Sequence, residues 1–177
     1  MQKKSTKLKR KKLQNQLLSN SPIELLSWPA IKQETTVIVE NKVIAIQTTR
    51  SSPETSDLTL TNSPFDGFNL GLHVNDDSNC VEKNRAYLQR HIQEKTADKI
   101  DIQWLEQVHG SNVVEIDQVS KKALVADACI TRNKNIALAI MTADCLPILL
   151  CNVQKSEIAV IHGGWRPLAA NIIANTL

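Results

Sequence analysis

Met141-Thr142-Ala143-Asp144-Cys145-Leu146-Pro147 separates two apolar runs, Ile136–Met141 before it and Ile148–Cys151 after it. Both runs have strand length and read as buried strands. A third run, Ile158–Ile161, leads into His162-Gly163-Gly164-Trp165-Arg166-Pro167. Cys145 is therefore expected at a strand end, beside the break that Pro147 imposes, and His162 at the end of the next strand. Upstream, strands are expected at Ile102–Val108 and Asn112–Ile116, with His109-Gly110 between them. His109, Cys145 and His162 all fall at the ends of hydrophobic strands, so a shared sheet can bring them to one point.

Glycine is scarce, 5 residues where average usage gives about 12. Their placement is informative, because Gly110, Gly163 and Gly164 adjoin His109 and His162, and Gly67 and Gly71 precede His73. Glycine permits tight backbone and close ligand approach. Two imidazoles and a thiolate suit a catalytic zinc site, in which three protein ligands leave one position open. The same set suits copper. The ligand spacing is not diagnostic, and a buried cysteine with two hydrogen-bonded histidines has the same signature. A metal-free alternative makes Cys145 a nucleophile with His109 or His162 as its base. Asp144 is a candidate to orient that base, although adjacent strand positions face opposite ways. Cys129 and Cys151 read as small core residues, Cys80 as incidental and His91 as solvated. Arg166 before the last helix is a candidate anion site, and Arg50 is a second one.

Asn79 and Glu82 resemble a capping box for a helix running to about Ile92, with Val81, Leu88 and Ile92 on one face. Thr35–Glu40 and Val43–Thr48 read as a β-hairpin, and the stretch from Arg50 to Phe68 as a long polar loop. Pro167 suits the first turn of a last helix, whose apolar stripe is Leu168, Ile172, Ile173 and Leu177. That stripe ends with no cap.

The 177 residues carry a net charge of +3, but residues 1–12 contain seven basic side chains and no acid, so the remainder is acidic overall. Residues 1–30 are expected to be a basic, disordered tail and connector, and 31–177 the folded domain. The tail reads as solvated, with weak binding to nucleic acid or anionic lipid as the alternative. It lacks the apolar core of a secretory signal, so the four cysteines are read as cytosolic thiols and the location as cytoplasmic. No apolar run approaches the roughly 20 residues needed to span a bilayer. Six aromatics give little base-stacking surface, which argues against a single-strand nucleic-acid binder.

Trp104-Leu105-Glu106-Gln107-Val108-His109-Gly110, Ala126-Asp127-Ala128, Thr142-Ala143-Asp144-Cys145-Leu146-Pro147 and His162-Gly163-Gly164-Trp165-Arg166 occur in this order. Together they resemble the signature of the YfiH family, the multi-copper polyphenol oxidase-like or laccase-domain proteins. Thr48-Thr49-Arg50, Asn69-Leu70-Gly71-Leu72-His73-Val74 and Asp76-Asp77 match further segments, and the likeness covers about 45–177. The resemblance implies an α+β fold, a layered α/β/β/α sandwich with a mixed β-sheet core, related to deamidating bacterial toxins. It implies zinc, or alternatively copper, held by His109, Cys145 and His162, which would also be the catalytic residues. Arg50, Asn69 and Arg166 are the candidate substrate or phosphate contacts of this sequence, Arg166 because phosphorolysis asks for an anion site. The implied activities are phosphorolysis of adenosine, inosine, guanosine and methylthioadenosine, deamination of adenosine, and copper-dependent laccase-like oxidation of phenols. The implied partners are a purine nucleoside and phosphate.

The sequence also departs from the family pattern. Gly163 stands where alanine is usual, Pro167 where glycine is usual, and Asn75 where glycine is usual. Asn75 is tolerable because asparagine visits left-handed backbone readily. A glycine-rich stretch after Arg50 is replaced by a polar loop. Family members continue past Leu177, so the chain is expected to lack the C-terminal part of the domain. An inactive family member that binds a partner is therefore a further alternative.

Overall fold

The computed structural model describes residues 23–26, 43–49, 65, 67–96 and 99–177. The basic tail, the Thr35–Glu40 run and Arg50 lie outside the described residues. The described residues fall into two compact units, one holding 23–26 with 44–49, 65 and 67–84, the other 43 with 85–96 and 99–177.

In the first unit, strand β1 (Ile23–Leu26) pairs antiparallel with β2 (Ala45–Thr48), Ile23 opposite Thr48. The segment expected to be connector therefore contains a strand. Its Ile-Glu-Leu-Leu run was too short and too close to Pro22 to stand out. Helix α1 (Ser78–Thr96) begins in this unit. The expected cap at Asn79 is corrected to a residue two positions earlier. The Asp77 side chain accepts the Asn79 N–H at 2.8 Å, and the Asp77 carbonyl accepts the Val81 N–H, so Asp77 is the N-cap and Asn79 lies inside the helix. Val81, Leu88 and Ile92 are buried, as their spacing requires. Asn75 adopts φ 61°, the left-handed backbone expected of it.

The second unit is built on a four-stranded mixed sheet ordered β5 (Val113–Glu115), β7 (Ala128–Thr131), β10 (Ile158–Gly163), β9 (Leu146–Cys151). β5 runs parallel to β7, while β10 is antiparallel to both β7 and β9. Two parallel pairs accompany it, β3 (Asp101–Gln103) with β8 (Ile136–Leu138), and β4 (Leu105–Glu106) with β6 (Leu124–Val125). The run expected as one strand over Ile102–Val108 is thus split at Trp104. β6 and β7, on either side of Asp127, were not anticipated.

Successive residues of the central strands serve opposite faces, as a period of two requires. Cys129 and Val160 join Leu105, Ile116, Ala126 and Ile136 on the face toward the parallel pairs, and Leu124 and Leu138 pack there too. Ala128 and Ile161 join Ile172 on the other face. Burial in apolar surroundings pushes the Cys129 thiol up from 9.0 to about 12. On the outer side of the parallel pairs, Gln89 of α1 accepts the Ile102 N–H, and Arg85 lies 4.0 Å over the Trp104 ring. The order of layers is helix, parallel pairs, four-stranded sheet, helix, which is the α+β layering the resemblance implies.

Two expectations about the sheet and its last helix change. β9 continues through Pro147 instead of starting after it. Its partner His162 donates its backbone N–H away from β9, to the Asp127 carbonyl at 2.8 Å. Position 147 therefore faces outward from the ladder, where a proline costs no sheet hydrogen bond. The last helix is two single turns, α2 (Trp165–Ala169) and α3 (Ile172–Thr176), divided at Asn171 with φ 61°. Pro167 lies in the first turn of α2, as expected. Of the apolar stripe only Ile172 is buried, whereas Leu168, Ile173 and Leu177 are exposed.

Candidate metal centre

β10 carries His162 within its last residues, not beyond them, and its ring is buried. Cys145 immediately precedes β9, whose first residue Leu146 pairs with Gly163. Antiparallel register then sets Cys145 beside Gly164. The approach is close, since a Cβ on Gly164 would stand 3.2 Å from the Cys145 Sγ and 3.5 Å from His109 Cδ2. A Cβ on Gly163 would stand 2.8 Å from the Leu146 carbonyl oxygen. Two consecutive glycines are what allow β9 and the thiol to come this near β10.

His109 reaches the same point from the loop between β4 and β5, in left-handed backbone at φ 58°. The His109 and His162 rings meet edge to face, 4.6 Å between centroids. Ligand atoms of His109, Cys145 and His162 all lie within 4.8 Å of one another, with His109 exposed, Cys145 half-buried and His162 buried. The three side chains that the sequence singled out thus converge.

Two residues that sequence reasoning did not assign hold the arrangement together. Asp127 is fully buried. One of its carboxylate oxygens faces His162 Nδ1 at 2.8 Å and accepts the His109 N–H at 2.9 Å. The other accepts the N–H groups of Val108 at 3.3 Å and Gly110 at 2.7 Å. Gln107 makes a reciprocal pair with Met141, its Nε2 donating to the Met141 carbonyl and its Oε1 accepting the Met141 N–H, both at 2.8 Å. This ties the His109 loop to the segment leading to Cys145. Asp127 had a sequence signal, a lone acid between alanines in an apolar run, because buried carboxylates are rare unless partnered. Gln107 had only its place in the Trp104–Gly110 segment beside His109. Asp144, the candidate orienting acid, is exposed, and the acid at an imidazole is Asp127.

The donor set fits a soft or borderline divalent metal. With Nδ1 of His162 occupied by Asp127, its Nε2 is the nitrogen left for a ligand role, the arrangement seen for metal-binding histidines generally. Two nitrogens and one sulfur suit zinc or copper and leave room for further ligands.

The other candidates are placed as follows. Arg166 is exposed at the start of α2, 5.1 Å over the Trp165 ring. α2 is a single turn, so its aligned peptide dipoles are few. Asn69 closes its own loop, donating to Asp76 at 2.8 Å and accepting the Gly71 N–H at 2.9 Å. Among the described residues, no helix is long and apolar enough to cross a membrane.

The family model described as multi-copper polyphenol oxidoreductase laccase matches residues 46–177. The chain belongs to this family. A purine nucleoside phosphorylase of Pseudomonas aeruginosa is 40% identical over 136 residues, 77% of this chain and 50% of the relative. The purine nucleoside phosphorylase YfiH of Escherichia coli is 38% identical over 116 residues, 64% of this chain and 45% of the relative. Among solved structures, a Neisseria meningitidis protein superposes with a TM-score of 0.71 at 29% identity, covering 88% of this chain and 56% of that one. YfiH of Bacillus licheniformis gives 0.59 at 25% identity, covering 75% and 49%. The chain spans about half the length of the curated family members it matches.

Proposed function

We propose that the chain provides the metal centre of an enzyme acting on purine nucleosides, with His109, Cys145 and His162 as ligands of one zinc ion. The observation that carries this reading is the convergence of the three donor atoms within 4.8 Å. The substrate class is supported by the relatives, which are named purine nucleoside phosphorylases. The reactions proposed are phosphorolysis of adenosine, inosine, guanosine and methylthioadenosine, and deamination of adenosine. Zinc held there would supply Lewis acidity at an open position, while copper at the same donors would serve phenol oxidation.

The protein's own part is positioning. His162 is held in a buried strand by Asp127, and Cys145 by the close β9–β10 approach that Gly163 and Gly164 permit. The exposed His109 edge leaves that side of the cluster open to solvent and substrate. Arg166 is proposed as a phosphate contact, because its guanidinium is exposed beside Trp165 and has the bidentate geometry for phosphate. Arg50 and Asn69 are proposed as further substrate contacts. Work in the cytoplasm accords with free thiols.

Metal content and product analysis on one sample test the proposal. Zinc near one equivalent is expected, falling toward zero in Cys145→Ala. Adenine formed from adenosine only with phosphate identifies phosphorolysis, and inosine with or without phosphate identifies deamination. Zinc and copper both near zero, unchanged by Cys145→Ala, overturn the metal reading. The Asp127–His162 pair also favours a second reading, in which His162 activates Cys145 for hydrolysis or deamidation without metal. In that case an alkylating agent at Cys145 inactivates the protein and chelators do not.

A further inference from the structure

Asp127 faces four nitrogen groups and is fully buried. Three are backbone N–H groups of consecutive residues, Val108, His109 and Gly110, which close around the carboxylate as an anion-binding nest. The fourth is His162 Nδ1. The nest exists because His109 is in left-handed backbone, a conformation costly for a residue with a Cβ and held only where surrounding structure enforces it. The backbone strain at one proposed ligand and the ring orientation of the other therefore depend on the same carboxylate.

Only a carboxylate can serve all four groups. The three N–H groups are donors, and each carboxylate oxygen faces at least one of them. An asparagine at 127 would turn its NH2 toward a backbone donor whichever way the amide is set. If the NH2 lies on the His162 side, it also demands that Nδ1 accept. The ring proton then moves to Nε2, the nitrogen the metal needs.

We propose that Asp127 is a positioning residue that sets His109 and His162 together, fixing the His162 ring in the form with its proton on Nδ1 and holding the His109 backbone in its left-handed turn. This rests on the metal reading above, but its first test does not. In the metal-free protein at alkaline pH, long-range proton–nitrogen NMR should show the His162 proton on Nδ1. A proton on Nε2 overturns the proposal. In the second test, zinc affinity is measured on the full chain by competition with a chromophoric chelator. Asp127→Asn should bind zinc about 10–100-fold more weakly than the parent. Equal affinity overturns the proposal. If the parent binds no zinc at all, the metal reading fails and the NMR result alone judges Asp127. The NMR result also decides if Asp127→Asn does not fold.

Discussion

His162 and His109 arrive at one cluster from opposite kinds of backbone. His162 sits in a central strand, buried, with regular extended geometry and sheet neighbours on both sides. His109 sits in an exposed loop in left-handed backbone, pinned through the Asp127 nest. The contrast teaches that the cluster combines one donor fixed by the fold itself with one fixed by a few hydrogen bonds. The two should respond differently to substitution even if both hold the same ion.

The largest expected effect on stability comes from the strand side. His162→Ala leaves the buried Asp127 without its imidazole partner and opens a hole in the sheet. Metal-free protein should lose about 2–3 kcal/mol in denaturant unfolding. A loss below about 0.5 kcal/mol would erase the distinction between the two donors. Next is Gly163→Ala, whose Cβ would stand 2.8 Å from the Leu146 carbonyl. Pushing β9 from β10 should cost about 1–3 kcal/mol and move Cys145 away from the imidazoles, so zinc affinity should fall with stability. The smallest effect, with the opposite sign, belongs to the loop side. His109→Gly removes a side chain from a φ of 58° and should raise metal-free stability by about 0.5–1 kcal/mol while weakening zinc binding. Destabilisation instead would mean that the His109 ring supports the fold, as His162 does.

Most of the candidate site was legible because chemistry-bearing residues interrupt apolar runs. Cys145 and His162 mark the ends of Leu- and Ile-rich strands, and sequence adjacency to glycine marks His109. What escaped notice has physical reasons. Proline usually signals a break, but Pro147 occupies an outward-facing position of a peripheral strand, where no ladder bond is lost. Leu168 and Ile172 keep helical spacing, which predicts one continuous helix after Gly164. Asn171, which tolerates left-handed backbone, divides it. Asp127 went unassigned because its partners, a distant imidazole and three loop amides, are set by tertiary packing, not by sequence neighbours. The apolar surroundings of Cys129 predict a core residue, and it is buried; its raised thiol value adds a pH consequence. The folded state holds that proton up to about 12 while an unfolded thiol releases it near 9.0. Stability should therefore fall between those values, by up to about 1.4 kcal/mol per pH unit, and Cys129→Ala should flatten that slope.

Pro147 has one more consequence. Among the described residues β9 is the outermost strand on its side of the sheet, and a bare strand rim invites a stray chain to add itself and seed aggregation. An imino acid at position 147 offers that newcomer no proton donor right where pairing would begin over the thiol. A Pro147→Val variant would restore the missing donor and should precipitate at lower protein concentration than the parent.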